Sequence, residues 1–329
     1  MSPLFLLLLL GLSLAVVAFD SSDTDEDDEQ VVDDEIIEGT DGPDTLTAGR
    51  DQTTNGLGGD DTLEAAGDNA KLNGGLGDDT LISIENDNVL IDGGEGDDKI
   101  TFQPASQNGT DTGRALGGLG DDTISVFGWG GNVDGGAGND LINAQGSITG
   151  VSGGDGNDTI TGDSADYGGG TPLSGDAGDD LLILSNSPSF QIGATADGGM
   201  GDDTIQSTTH LFSSDSYDTL TGGEGSDRFE LEFTNAQFSN ANEDVGVVTT
   251  ITDFTPGVDV LVLPNSLEDA GGGLTLGQLT IEIVQAPDDS YTDVVFVAVS
   301  PEAAGKITGT IRLNGTTGLN ASDILLVER

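Results

Sequence analysis

The chain has no cysteine, one histidine and eight basic residues among 329, against 60 acidic ones. The lack of cysteine excludes disulfides and thiolate metal sites, and a single histidine leaves zinc and copper without their usual ligands. The basic residues are scattered and the formal net charge is −52, which excludes nucleic acid as a partner. Aromatic residues make up 5% of the chain, so any hydrophobic core must be thin.

The same scarcity argues against catalysis. His210 lies in an insertion between repeats, with neither an H-E-x-x-H motif nor a nucleophile elbow around it. Acidic residues are so abundant that a pair of carboxylates carries no information about glycoside hydrolysis. We therefore predict a protein that is not an enzyme, with His210 structural or exposed.

Glycine and aspartate, in contrast, recur in a fixed pattern. Nine segments follow G-G-x-G-x-D-x-U-x, where U is apolar, and they start 18 to 24 residues apart at Gly56, Gly74, Gly93, Gly117, Gly135, Gly153, Gly175, Gly198 and Gly222. The copies at Gly56 and Gly175 lack the second glycine, and residues 39–46 look like a degenerate first turn that caps the array. A regular array of this kind predicts a solenoid in which each repeat stacks on its neighbours.

The two residue types suggest a metal site. Glycine allows positive φ and close approach of backbones, so a short turn can point its carbonyl oxygens inward, and aspartate adds charge. Oxygen ligands of this kind suit Ca²⁺. Nine stacked turns leave about eight slots between neighbours, each predicted to hold one ion. The predicted ligands are Asp61, Gly74, Gly77, Asp79, Gly93, Gly96, Asp98, Gly117, Gly120, Asp122, Gly135, Gly138, Asp140, Gly153, Gly156, Asp158, Gly178, Asp180, Gly198, Gly201, Asp203, Gly222, Gly225 and Asp227.

After each turn an apolar residue is predicted to start a strand of two or three residues and to point inward: Leu81, Ile100, Ile124, Ile142, Ile160, Leu182, Ile205 and Phe229. The intervening nonapeptides have no ligands but keep an inward residue, predicted as Leu72, Leu90, Val133 and Val151. We predict an all-β fold, a right-handed parallel β-roll of about 18 residues per turn with calcium along one edge. Insertions at 103–114 and 163–172 should lie on the opposite edge.

Four regions are predicted. Residues 1–19 contain an apolar segment at 3–19, a signal peptide or membrane segment, and residues 20–38 form an acidic disordered linker. The roll spans residues 39–230, and residues 231–329 form a β-rich cap or small domain. Its predicted strands are 247–252, 259–263, 279–284, 294–299, 306–313 and 324–327.

The repeats resemble the RTX, or haemolysin-type, calcium-binding repeat family. Residues 251–263 (ITDFTPGVDVLVL) are similar to a segment that follows the roll in many such proteins, and residues 319–329 resemble their uncleaved carboxyl-terminal signal. The resemblance implies a type I secretion apparatus as a partner. The chain departs from many relatives in ending on Glu328-Arg329 instead of apolar residues.

Together these features predict an exported calcium-binding protein that stays unfolded at cytosolic calcium and folds outside the cell. Residues 3–19 leave both free secretion and tethering at the cell surface open. The alternative is a Ca²⁺-dependent carbohydrate-binding or adhesive surface module that binds extracellular polysaccharide as an accessory to a polysaccharide-active enzyme. Trp129, the only tryptophan, marks either a sugar-stacking surface or a packed or bulged position.

Overall fold

A computed structural model describes residues 35–105, 112–164, 170–185, 193–211, 218–234, 243–268, 275–299 and 306–328, which belong to one compact unit. The predictions for residues 1–19 and for 20–34 of the acidic linker lie outside the described residues. The predicted linker is wrong for residues 36–38, which belong to a strand that pairs in parallel with residues 53–55. Within the described part, no helix has the length and apolar character needed to cross a membrane.

The described strands form two sheets. From β1 to β22 the chain alternates between them, so that each turn of the solenoid contributes one strand to each sheet. The first sheet contains, in spatial order, β1 (Ile36–Thr40), β3 (Thr53–Gly58), β5 (Lys71–Leu76), β7 (Leu90–Glu95), β9 (Arg114–Leu119), β11 (Asn132–Ala137), β13 (Gly150–Asp155), β15 (Leu173–Ala177), β17 (Thr195–Met200), β19 (Asp218–Glu224), β21 (Glu243–Ile251), β26 (Lys306–Asn314), β25 (Tyr291–Val299), β24 (Thr275–Gln285) and β23 (Ser266–Glu268). The second contains β2 (Thr45–Ala48), β4 (Thr62–Ala65), β6 (Thr80–Ile84), β8 (Lys99–Gln103), β10 (Thr123–Trp129), β12 (Leu141–Ser147), β14 (Thr159–Ser164), β16 (Leu181–Ser185), β18 (Thr204–His210), β20 (Arg228–Thr234), β22 (Val260–Pro264) and β27 (Ile324–Val327).

The strands of the roll pair in parallel and in register with the repeat. Ile124, for example, lies between Ile100 and Ile142. All eight residues predicted to point inward after the aspartates are fully buried, which gives the second sheet a continuous apolar column. The prediction of a parallel β-roll is confirmed, and its thin core consists of two facing columns of mostly aliphatic side chains.

Two details of the strand prediction were wrong. The strands of the roll contain four to seven residues instead of two or three. Those of the second sheet begin at the residue after the aspartate, and those of the first sheet extend into the first glycines of the next turn. Leu90 is exposed, and its neighbour Ile91 is the inward residue. Alternation from Val89, just before β7, places Val89 and Ile91 on the inner side and Leu90 on the outer side.

Variation in repeat length falls on one side of the roll. Every aspartate turn connects a strand of the first sheet to one of the second, whereas the longer connections lead from the second sheet back to the first. The predicted insertions at 103–114 and 163–172 belong to these return connections, but residues 106–111 and 165–169 lie outside the described part. The aspartate turns therefore share one edge.

The carboxyl-terminal strands extend both sheets. Strand β21 pairs with β19 and β22 pairs with β20, in parallel, after which β26, β25 and β24 continue the first sheet and β27 ends the second. All six strands predicted here are present, and β23 was not predicted. A 3₁₀ helix at Ala321–Asp323 leads into β27.

Candidate metal-binding edge

A ladder of aspartates runs along the edge where the chain passes from the first sheet to the second. The backbone N–H of each aspartate donates to Oδ1 of the aspartate one turn further along the chain, over 2.7–3.1 Å. We call this the buried ladder; its members are Asp44, Asp61, Asp79, Asp98, Asp122, Asp140, Asp158, Asp180, Asp203, Asp227 and Asp259. The nine central members, from Asp61 to Asp227, are the predicted aspartate ligands, and each is only 1–2% exposed.

The second carboxylate oxygen of these aspartates has no protein partner. In Asp61, Asp79, Asp98, Asp122, Asp140, Asp158, Asp180 and Asp203, Oδ2 is buried and accepts no hydrogen bond. A buried polar atom without a partner is costly, and a repeated one requires an explanation. A cation bound beside each Oδ2 supplies one.

The glycines leave room beside these oxygens. A methyl group on Gly74 would collide with Oδ2 of Asp79 and with the carbonyl oxygen of Gly93 in the next turn. Gly96 has a φ of +129°, and a methyl group there would collide with the carbonyl oxygen of Gly77. The same contacts recur at the equivalent glycines of the other complete repeats up to the one that begins at Gly198. The glycines at the first and fourth positions of the repeat thus allow carbonyl and carboxylate oxygens of adjacent turns to lie close together.

This set of donors fits calcium. Among the described residues, no three His, Cys, Asp or Glu side chains form a metal-binding group, so a cation at this edge would take ligands from the main chain as well as from carboxylates. Calcium accepts six to eight such oxygens in irregular geometry. Asp79 and Asp98, with glycine carbonyl groups of their turns, are examples of the residues that would hold it. The individual ligands remain a prediction.

Burial makes the carboxylates hard to ionise. Desolvation, with a smaller contribution from neighbouring aspartates, raises the pKa of Asp98, Asp122 and Asp180 to about 7 although backbone hydrogen bonds act in the opposite direction. For the same main reason the pKa values of Asp79, Asp158, Asp203 and Asp227 are raised to about 6. A cation would reverse this effect by favouring the charged form.

A second ladder, which the sequence analysis missed, lies on the solvent side of the same turns. Here Oδ1 of the residue before each buried aspartate accepts the N–H of its counterpart in the following turn, over 2.7–3.2 Å. We call it the exposed ladder; it contains Asp60, Asp78, Asp97, Asp121, Asn139, Asn157, Asp179, Asp202 and Ser226. Asparagine accepts the same bond in two turns, so this ladder needs no charge. The recurrence of Asp or Asn at this position was the available signal.

The carboxyl-terminal end of the buried ladder was also missed. Asp259 accepts the N–H of Asp227 through Oδ1, at 2.9 Å, and that of Thr255 through Oδ2, at 2.6 Å. Asp253 accepts the N–H groups of Gly222 and Gly223. The signal was the G-x-D-x-U spacing of Gly257-Val258-Asp259-Val260-Leu261, which repeats the second half of the nonapeptide. Asp44 follows the same spacing at the other end.

His210 is separate from this edge. It ends β18, where its backbone pairs with Thr234. Its side chain lies outside the described part, so its predicted structural or exposed role remains a prediction.

Comparison with known families agrees with this geometry. The family model for the RTX calcium-binding nonapeptide repeat, which contains four copies, matches residues 32–52, 55–82, 85–102, 151–166 and 210–233. The buried ladder continues between these segments through Asp122, Asp140, Asp180 and Asp203. No curated protein matches the chain. Over residues 32–233, the chain belongs to the family of RTX calcium-binding nonapeptide repeats.

Proposed function

We propose that the aspartate edge binds several calcium ions in the slots between adjacent turns. The observation that carries the proposal is the unpartnered Oδ2 of eight buried aspartates. Asparagine would accept the ladder hydrogen bond without the cost of a buried charge, as it does at Asn139 and Asn157 in the exposed ladder. Aspartate nevertheless occupies the buried position in all nine repeats, as expected if its charge serves a cation.

We further propose that calcium binding drives folding. A net charge of −52 opposes compaction, and stacked turns bring buried carboxylates into the same edge. Calcium neutralises this edge and binds the folded form in preference to the unfolded chain. Extracellular calcium modules bind at about 10⁻⁴–10⁻³ M, far above cytosolic calcium.

On this basis the protein folds after export and acts outside the cytoplasm without catalysis of its own. The absence of cysteine from the sequence and the resemblance of residues 319–329 to type I secretion signals support export. Residues 3–19 support a second arrangement, in which the chain remains tethered to the cell surface.

Isothermal titration calorimetry of the full chain with calcium tests the binding proposal. Several ions should bind per chain near millimolar concentration, and magnesium should not replace them because it demands a smaller and more regular site. Failure of calcium to bind at 10 mM, roughly ten times the upper end expected for such modules, would overturn the proposal.

A further inference from the structure

A cleft away from the aspartate edge combines aromatic and polar side chains. It has a volume of about 510 Å³ and lies on the second sheet, at the ends of β6, β8 and β10. Glu85, Gln103, Phe127 and Trp129 are among the residues that line it. The volume falls within the range of small-molecule sites, about 300–1,000 Å³.

The two aromatic residues face outward. Along β10, Ile124 and Val126 are buried, so alternation places Phe127 and Trp129 on the outer side, where both are half-buried. Trp129 is therefore not a core residue. Phe102, Phe229 and Phe296, in contrast, are fully buried. In a chain with few aromatic residues, two outward rings on one strand form an apolar surface that the core does not use.

Strand register brings the polar residues to these rings. Ile84 pairs with Gln103, and Phe102 pairs with Val126. Glu85, Gln103 and Phe127 therefore lie on three successive turns, at the same end of their strands. The N–H of Glu85 donates to the carbonyl oxygen of Gln103 at 2.8 Å. Since neighbouring strands are about 4.8 Å apart, the cleft extends about 10 Å from the Glu85 turn to the Phe127 turn. This width suits a single sugar ring with its substituents.

We propose that this cleft binds a neutral saccharide unit. The apolar face of a sugar ring would pack on Phe127 and Trp129, while its hydroxyl groups would bond to Gln103, which donates and accepts, and to Glu85, which accepts. No Lys or Arg lines the cleft and the chain carries a net charge of −52, so anionic sugars are disfavoured. The site differs from calcium-bridged binding of acidic glycans because no ladder aspartate lines it.

The proposal does not depend on where calcium binds, and Trp129 allows it to be tested alone. Because Trp129 is the only tryptophan, the intrinsic fluorescence of the full chain reports on this cleft. We would titrate folded protein, at fixed millimolar calcium, with maltotriose, cellotriose and chitotriose. Trigalacturonate and choline serve as the anionic and cationic probes. At least one neutral trisaccharide should give a saturable change in emission, and trigalacturonate should give none.

Variants then locate the site. Phe127→Ala should weaken binding about tenfold, because the contact with one aromatic ring contributes a factor of about this size to the affinity. Glu85→Gln, at an exposed position, should weaken it severalfold and provides the test if Phe127→Ala does not fold. Trp129→Ala is measured by calorimetry. Leu141→Ala, which removes an exposed apolar side chain of β12 outside the cleft, is the matched control and should bind normally.

The circular dichroism spectrum of each variant verifies the fold independently of the saccharide. Three outcomes would overturn the proposal: no emission change with any neutral trisaccharide, a change with choline alone, or unchanged affinity in the folded Phe127, Glu85 and Trp129 variants. Choline alone would indicate an aromatic site for an organic cation instead.

Discussion

At the scale of residues, each turn uses two neighbouring side chains in opposite ways. Asp121 lies in the exposed ladder and Asp122 in the buried one, and both accept a backbone N–H from an adjacent turn. Asp121 differs because its position is filled by asparagine in other turns. Asp122 also has a buried oxygen without a partner. Comparison of Asp121 with Asp122 therefore separates the contribution of the hydrogen bond from that of the carboxylate charge.

Asp122→Asn should raise the calcium concentration needed for half-maximal folding by at least about twofold, because it removes a ligand charge. Asp121→Asn, which removes the same charge one residue away, should leave the midpoint nearly unchanged. Far-UV circular dichroism during calcium titration measures both. Equal shifts in the two variants would show that net charge, not a buried ligand, controls folding.

The raised pKa values of the buried aspartates predict a pH dependence. In the calcium-free fold, Asp98 and Asp122 have pKa values of about 7, above those of the unfolded chain. The folded form therefore holds more protons between about pH 4 and 7, and its stability is lost as pH rises through this window. Calcium needs the ionised form, so its apparent affinity should fall as pH drops from 7.5 to 6. Calorimetry should also detect proton release on binding. Calcium affinity that is constant over this range would contradict the assignment of these carboxylates as ligands.

Leu57 replaces the second glycine of the first repeat, yet it keeps the φ of a glycine, +75°. A leucine in this left-handed region is strained by about 1–2 kcal/mol. Its side chain is 45% exposed, so little burial offsets the strain. Leu57→Gly should increase the free energy of unfolding in calcium by up to about 1 kcal/mol. Urea denaturation measures the change.

Gly94 provides the opposite test. Its φ is +117°, and an added methyl group would meet the carbonyl oxygen of Gly75. Gly94→Ala should destabilise the roll by about 1–3 kcal/mol. If Leu57→Gly also destabilised the roll, backbone strain at this position would not be the dominant effect.

At the scale of elements, the buried ladder is directional. Each turn donates its aspartate N–H to the turn that follows, so every turn depends on the next one toward the carboxyl terminus. Asp259 ends the series, with both carboxylate oxygens bonded to backbone N–H groups. Asp253 satisfies the two glycine amides of the last repeat. The segment after the last repeat is thus the cap of the ladder.

Asp259→Ala should therefore impair folding of the whole roll and raise the calcium midpoint, with a loss of about 1–3 kcal/mol at the last turns. Glu282→Ala removes an equal charge from an exposed position on β24 and is the control. Hydrogen exchange followed by mass spectrometry would locate the loss, which should be greatest around 222–263. Equal protection in the two variants would argue against a capping role.

Much of this architecture could be predicted from the sequence, because a nine-fold repeat determines both register and core. The inward residues after each aspartate, such as Ile124, follow directly from the turn. Leu90 was assigned wrongly because Val89, Leu90 and Ile91 are three consecutive apolar residues, and only the register with neighbouring strands decides which faces inward. The exposed ladder and Asp259 were missed because their partners lie 18 to 32 residues away, in adjacent turns.

At the scale of the whole molecule, a thin hydrophobic core is opposed by repulsion among many acidic residues. The core is two columns of mostly aliphatic side chains, while the chain carries 60 acidic residues against eight basic ones. Only three ion pairs occur among the described residues, Arg50–Asp68, Arg228–Glu230 and Arg312–Asp293. Basic side chains therefore cannot neutralise the buried ladder. We infer that calcium does so.

The most direct test is far-UV circular dichroism of the full chain during titration from chelator to about 10 mM calcium, a range that spans extracellular modules. Magnesium at the same concentrations is the control. We expect an unfolded spectrum in chelator at neutral pH and a cooperative gain of β structure near millimolar calcium, without an equivalent effect of magnesium. A chain that is already folded in chelator, or that stays unfolded throughout the titration, would contradict this expectation.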